Sequence, residues 1–331
     1  MSTSGSVRTA FRTRAVIDWI DLAVTLKCGT QFRHVQEKLR SILGITTRPY
    51  VRPVNAGAGN VATRFTLRLH DTHAATLHDL ERITGALALA YPFAEAPEVI
   101  GVEVALDFYS RHDPSAVPGL VLRLQSSIDA KGNPRQYDPQ KAAMPKHGNR
   151  FLNRERPEPV TGLALDPHLN LRIGDVGDAV QWQVYDKRTD NNGQPIEPSQ
   201  RRARAEFALT GQELAKHVLG PDAGSRLANL ADLQDFKFET LACLLHFRQF
   251  KPVETITQAP VLASTLPKVK ALHEHGIMNY HLGSVATYRD KRRPTDVGRR
   301  VPLKHSRHTV ADAELNDIAR RTLKALTRRF A

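Results

Sequence analysis

Apolar residues recur at every second position in several stretches of the chain, and at helical spacing in the segments between them. Over Thr63–His70, Phe65, Leu67 and Leu69 point one way while Thr66, Arg68 and His70 point the other, the signature of a half-buried strand. Over Glu98–Tyr109, Val102, Val104 and Leu106 lie opposite Glu103, Ala105 and Asp107. Val16–Leu26, rich in Val, Ile and Trp, reads as a strand, as do Ala179–Lys187 and Arg202–Leu209. Between them, Phe32, Val35, Leu39 and Ile42 share one helical face over Gln31–Leu43, ending at Gly44. A second helix runs through Leu77, Leu80, Ile83 and Leu87, with Thr72 as its cap and Pro92 as its stop. Thr210 and Glu213 form a capping-box pattern for a helix over Gly211–Leu219, and Phe236–Phe247 is an apolar, helical stretch. The clearest helix is Thr309–Phe330, with Leu315, Ile318, Leu323, Leu326 and Phe330 on one face. This order predicts an α+β fold: a central, mostly antiparallel five-stranded sheet with helices on one face, followed by a helical C-terminal region.

The segments that break the pattern set the organisation. Residues 1–14, small and polar with three arginines, read as a disordered basic N-terminus. Residues 129–177 carry six prolines and many Asn and Gly, and read as an irregular insertion within a domain spanning 15–250. Residues 251–331 form a basic, mainly helical C-terminal region. No stretch has the ~20 apolar residues that a membrane span needs, and no apolar core follows the N-terminal arginines as a signal peptide would require. Cys28 and Cys243 are too few for a structural zinc site and read as reduced thiols of a cytoplasmic protein.

Charge narrows the function. Forty-seven Lys and Arg against thirty-four Asp and Glu leave a net +13, and residues 289–331 alone hold thirteen basic and five acidic residues. Such a surplus favours a polyanionic partner, most simply nucleic acid. Three strands then offer candidate chemistry. Glu103 and Asp107 share one strand face and would repel unless a cation such as Mg²⁺ lay between them. Tyr185 and Lys187 share a face of the next strand, where a cation would favour the phenolate. Arg202, Arg204 and Glu206 share a face of the third, as an ion pair or as phosphate donors around an acidic ligand. Taken singly, each is most simply an ordinary amphipathic strand. If the last two strands pair, Tyr185, Lys187, Arg204 and Glu206 form one cluster.

The run LRIGDVGDAVQWQVYDK, followed after a loop by RRARAEFALTG, resembles the replication initiation factor family, the rolling-circle initiators of small plasmids and filamentous phages. VIDWIDLAVTL and GVEVALDF resemble its N-terminal strand and its second acidic segment, so the likeness runs in order over residues 15–250. It departs at Gly174-Asp175-Val176, where the family has Gly-Ser-Arg, and at Gln183-Val184, where it has a hydrophobic residue and Arg. The resemblance implies a degenerate relaxase-like fold and a protein that nicks origin DNA. Tyr185 would become a 5′-phosphotyrosine and free a 3′-hydroxyl. Lys187 would assist it. Asp107, Glu206 and Glu103 would hold Mg²⁺ or Mn²⁺, and Arg204, Arg202, Arg201 and Arg188 would contact DNA phosphates. Partners would be single- and double-stranded origin DNA and a host helicase.

Two alternatives keep the same fold. One is a non-catalytic DNA-binding regulator, which would bind DNA without metal dependence or adduct. The other moves the nucleophile to Tyr109, on the face of Asp107, or to Tyr137. His273-Glu274-His275 has the spacing of the paired-histidine initiators but a charged middle residue.

Overall fold

The computed structural model describes residues 6–139, 165–175, 177–189, 194–250, 276–278 and 309–330. Its frame is one antiparallel sheet. The strands are β1 (Phe11–Gln31), β2 (Tyr50–Pro53), β3 (Val61–His70), β4 (Glu98–Ser110), β5 (Pro134–Tyr137), β6 (Asn170–Ile173), β7 (Val180–Lys187), β8 (Arg202–Thr210) and β9 (Ala228–Asn229). They lie in the order β2-β3-β1-β4-β8-β7-β6-β5, with β9 also pairing with β4. All these pairings are antiparallel. A separate two-stranded ribbon joins β10 (Arg248–Phe250) to β11 (Thr309–Ala311).

The five expected strands are all present, and the sheet is wider than five because short strands flank them. β2 has four residues, too few for a period to declare itself. β5 and β6 sit inside the segment expected to be irregular, and they extend the sheet beyond β7. Residues 140–164 of that segment lie outside the described residues. The N-terminus also departs from expectation: Val7–Ala10 is a helical turn (α1), and β1 begins at Phe11, paired to Ser110.

The remaining helices are α2 (Phe32–Leu43), α3 (Leu77–Ala90), α4 (Val117–Ser127), α5 (Gly211–Leu219) and α6 (Ala313–Phe330). Helix α2 ends where Gly44 takes a left-handed conformation (φ 65°), which a side chain would resist. Its Phe32, expected on the buried face, is exposed. Helix α3 is capped by Thr76, not Thr72, in a reciprocal box with Asp79. Thr210 does precede α5, but its hydroxyl caps nothing there. Phe238–Cys243 is a 3₁₀ segment within the stretch expected to be helical. Helix α4 has Pro118 and Gly119 in its first turn, which hide its start from a reading of propensity. Residues 251–275 and 279–308 lie outside the described residues.

The core lies on one face of the sheet. Ile17, Phe65, Leu67, Val104, Phe108, Val184, Phe207 and Leu209 join it from the strands; Leu39, Leu80, Val121, Leu214 and Leu323 join it from the helices. Helix α6 closes the N-terminal half of β1, with Thr13 and Thr322 hydroxyls 3.1 Å apart and Arg329 bonded to the Ala15 carbonyl. The same alternation that buries one face sends the polar residues of β1, β4, β7 and β8 to the other.

Candidate metal and nucleophile site

The opposite face of the sheet gathers the ionisable residues, and the ladder register fixes which of them meet. Across β7, β8 and β4, one row reads Tyr185, Arg204, Asp107, and the row beside it reads Gln183, Glu206, Ala105. A third reads Gln181, Ala208, Glu103. Each is flush because all three strands keep period two without a break. Strand β1 does not. Ile17 pairs with Val104 and Trp19 with Glu103, so Asp18 is an extra residue between them. Next to core-facing Ile17, Asp18 lies on the ionisable face, and its carbonyl accepts from the Asp71 amide at 3.3 Å.

Asp18, Glu103 and Glu206 thereby converge, each offering a carboxylate oxygen within 4.8 Å of the others. The Tyr185 hydroxyl donates to Glu206 Oε2 at 3.1 Å. Lys187 Nζ lies 4.0 Å from Asp18 Oδ1. The pairing of β7 with β8 brings Tyr185, Lys187, Arg204 and Glu206 onto one face, as the sequence suggests; the pairing of β8 with β4 also brings Glu103 there, and sequence reasoning missed Asp18. The signal was present: the apolar phase set by Ala15 and Ile17 resumes at Ile20, three residues on instead of two.

Asp107, expected as a ligand, is a correction. Both its oxygens are taken by the Arg204 guanidinium, from Nε at 2.6 Å and from Nη2 at 2.8 Å, because the two residues are direct cross-strand partners. It stands one row from the triad. Arg204, expected on phosphate, is 2% exposed, and its Nη1 bonds Asp18 at 2.7 Å. It organises the site from beneath rather than meeting a ligand. Arg202 lies 3.1 Å from Asp107, with Tyr109 between it and Arg12. Tyr109 bonds Asp107 at 3.4 Å, away from the three carboxylates. Tyr137 lies on β5, separated by β6 from the strand that carries Tyr185. Arg188 and Arg201 both hold Asp186, at 2.8 and 2.5 Å, forming a basic corner at the end of the β7–β8 hairpin. His273 and His275 lie outside the described residues.

The electrostatics follow from burial and like charge. Burial, then repulsion from Glu206 and Asp18, pushes the Glu103 carboxyl well above its ordinary value. Burial raises Glu206 to about 7, even against the pull of Arg204. Burial acts the same way on Asp18, but Arg204 and Lys187 outweigh it and hold that carboxyl low. Burial and the neighbouring Glu206 push the Tyr185 phenol well up, and burial with Arg204 lowers Lys187.

These residues suit a divalent cation. Arg68 is matched by Asp21 in a two-pronged pair at 2.7 Å. With that pair set aside, four carboxylates, Asp18, Glu103, Asp107 and Glu206, stand beside Arg202, Arg204, Lys187 and Arg172, and three of the four converge. An all-carboxylate donor set of this kind could hold a metal ion. The triad opens on a small cavity of about 60 Å³, which Gln181, Gln183 and Arg172 line on the side away from it.

Neither protein-family models nor curated proteins give a match for this chain. Among the described residues, no helix is long and apolar enough to cross a membrane. Both cysteines are exposed and unpaired.

Proposed function

We propose that this protein nicks single-stranded origin DNA through Tyr185 to initiate rolling-circle replication, with Asp18, Glu103 and Glu206 as the seat of a Mg²⁺ or Mn²⁺ ion. The observation that carries the reading is the Tyr185 hydroxyl 3.1 Å from Glu206, inside a group of three convergent carboxylates. A phenol is a poor nucleophile while it keeps its proton. A cation held by the three carboxylates would lie beside the Tyr185 oxygen, bonded as that oxygen is to Glu206, and would favour the phenolate. The Tyr185 oxygen attacks the phosphorus as its proton leaves to solvent. The bond from phosphorus to the 3′-oxygen breaks with its electron pair on that oxygen, which takes a proton from solvent. The products are a 5′-phosphotyrosine and a free 3′-hydroxyl. When bound, the cation would polarise the phosphodiester and offset its developing charge.

The other residues position this chemistry. Arg204 fixes Asp18 and Asp107 in place through three hydrogen bonds. Lys187, Arg188, Arg201 and Arg202 gather positive charge at the end of β7 and β8, where it suits a DNA backbone. The net +13 acts in the same direction.

The test uses a supercoiled plasmid carrying the gene and its flanking DNA, incubated with wild type or Tyr185→Phe and Mg²⁺ or Mn²⁺. We expect nicked circles and a covalent protein–DNA adduct with wild type, both lost in Tyr185→Phe and on chelation. An adduct that survives in Tyr185→Phe removes Tyr185 from the mechanism. DNA binding with no nick or adduct, whatever the metal, leaves a non-catalytic regulator.

A further inference from the structure

The cavity beside the triad has two unlike walls. On one side, Glu206 and Glu103 belong to the carboxylate group. On the other, Arg172, Gln183 and Gln181 are donors that carry no negative charge. The register explains the gap between them. Arg172, Gln183 and Glu206 form one cross-strand row over β6, β7 and β8, and Gln181, Ala208 and Glu103 form the adjacent row over β7, β8 and β4. Ala208 is the one small side chain among these six, so the space lies over its methyl.

We propose that this cavity seats one phosphate of single-stranded DNA, with the Arg172 guanidinium and the Gln181 and Gln183 amides as donors to its oxygens. Size selects the ligand. At about 60 Å³ the cavity holds about four water-sized positions, enough for a phosphate group and too few for a nucleobase. Chemistry selects it as well. A forked guanidinium beside two amides matches phosphate oxygens. Arg172 lies over the Tyr137 ring at 5.3 Å, and Gln181 Nε2 donates to the Asp178 carbonyl at 3.3 Å, contacts that hold both side chains in place. Arg172 comes from β6, a strand within the stretch that sequence reading took as irregular. The inference rests on the metal-assisted reading above, because an anion would avoid Glu103 and Glu206 without a cation on them.

The probe is a fluorescein-labelled oligothymidylate, bound to the full chain in Mg²⁺ and followed by anisotropy over a range of salt. Arg172→Gln is expected to weaken binding about tenfold and to reduce the slope of log affinity against log salt by about one. Ala208→Leu fills the space without touching any charge, and is expected to weaken binding and lower the slope to a similar extent, because it keeps the same phosphate out. Arg172→Lys is expected to restore the slope but only part of the affinity, which a merely misfolded variant would not do. Wild-type affinity and slope in both Arg172→Gln and Ala208→Leu would overturn the phosphate seat, even if Tyr185 forms its adduct. Conversely, Arg172-dependent binding without a Tyr185 adduct would keep the seat and remove the nicking reaction.

Discussion

Replacing Glu206 with Gln tests the electrostatic core of the site. The side chain is 6% exposed, and its carboxyl is raised from 4.5 to about 7 by burial and by Asp18. A carboxyl raised by folding binds its proton more tightly in the native protein than in the unfolded chain. Its contribution to stability is therefore complete below the unfolded value, and is lost as pH climbs from 4.5 through about 7. The shift is 7 − 4.5, or about 2.5 pH units. At 1.36 kcal/mol per unit, ionising Glu206 costs the metal-free fold about 3 kcal/mol. Gln keeps an oxygen that can accept from Tyr185 and cannot ionise. In urea unfolding with chelator, Glu206→Gln should match wild type near about pH 4 and exceed it by about 3 kcal/mol near about pH 8.5. Adding Mn²⁺ at the higher pH should raise the wild-type midpoint and leave that of Glu206→Gln nearly unchanged, because binding to the native state alone stabilises it. A difference between the two proteins that does not vary with pH would refute the reasoning: Glu206 would then not be raised by its burial.

Two further outcomes follow from the packing. Arg204→Met leaves Asp107 buried without either of its two short bonds from Arg204, and should lower stability by about 3–5 kcal/mol, read as a fall in the urea midpoint. A loss below about 1 kcal/mol would mean that Asp107 finds another partner. Gly132→Ala should destabilise the β5–β6 edge by more than about 1 kcal/mol, since Gly132 has φ 145° and an added methyl carbon would lie 2.6 Å from the Gly174 amide nitrogen. Because Gly174 also lines the cavity, the same variant should weaken oligothymidylate binding in the anisotropy assay.

The sequence by itself determined the faces. Period-two alternation is a local property of each strand, so Glu103 beside Asp107, Tyr185 beside Lys187 and Arg204 beside Glu206 could be read without knowing any neighbour. The long strands and the C-terminal helix were legible for the same reason, since their apolar repeats run over many residues. Short elements were not: β2, β5 and β6 have four residues each, and only the strand next to them makes them strands. Tertiary structure alone decided which residues of a face meet. Asp107 looked like a metal ligand because it shares the face of Glu103, but the ladder sets it opposite Arg204, which claims both its oxygens. Asp18 takes the third place in the triad because it follows core-facing Ile17 and stands, as the extra residue of β1, between the Val104 and Glu103 pairs. Parity is carried by the chain itself, whereas register is carried by hydrogen bonds to distant strands.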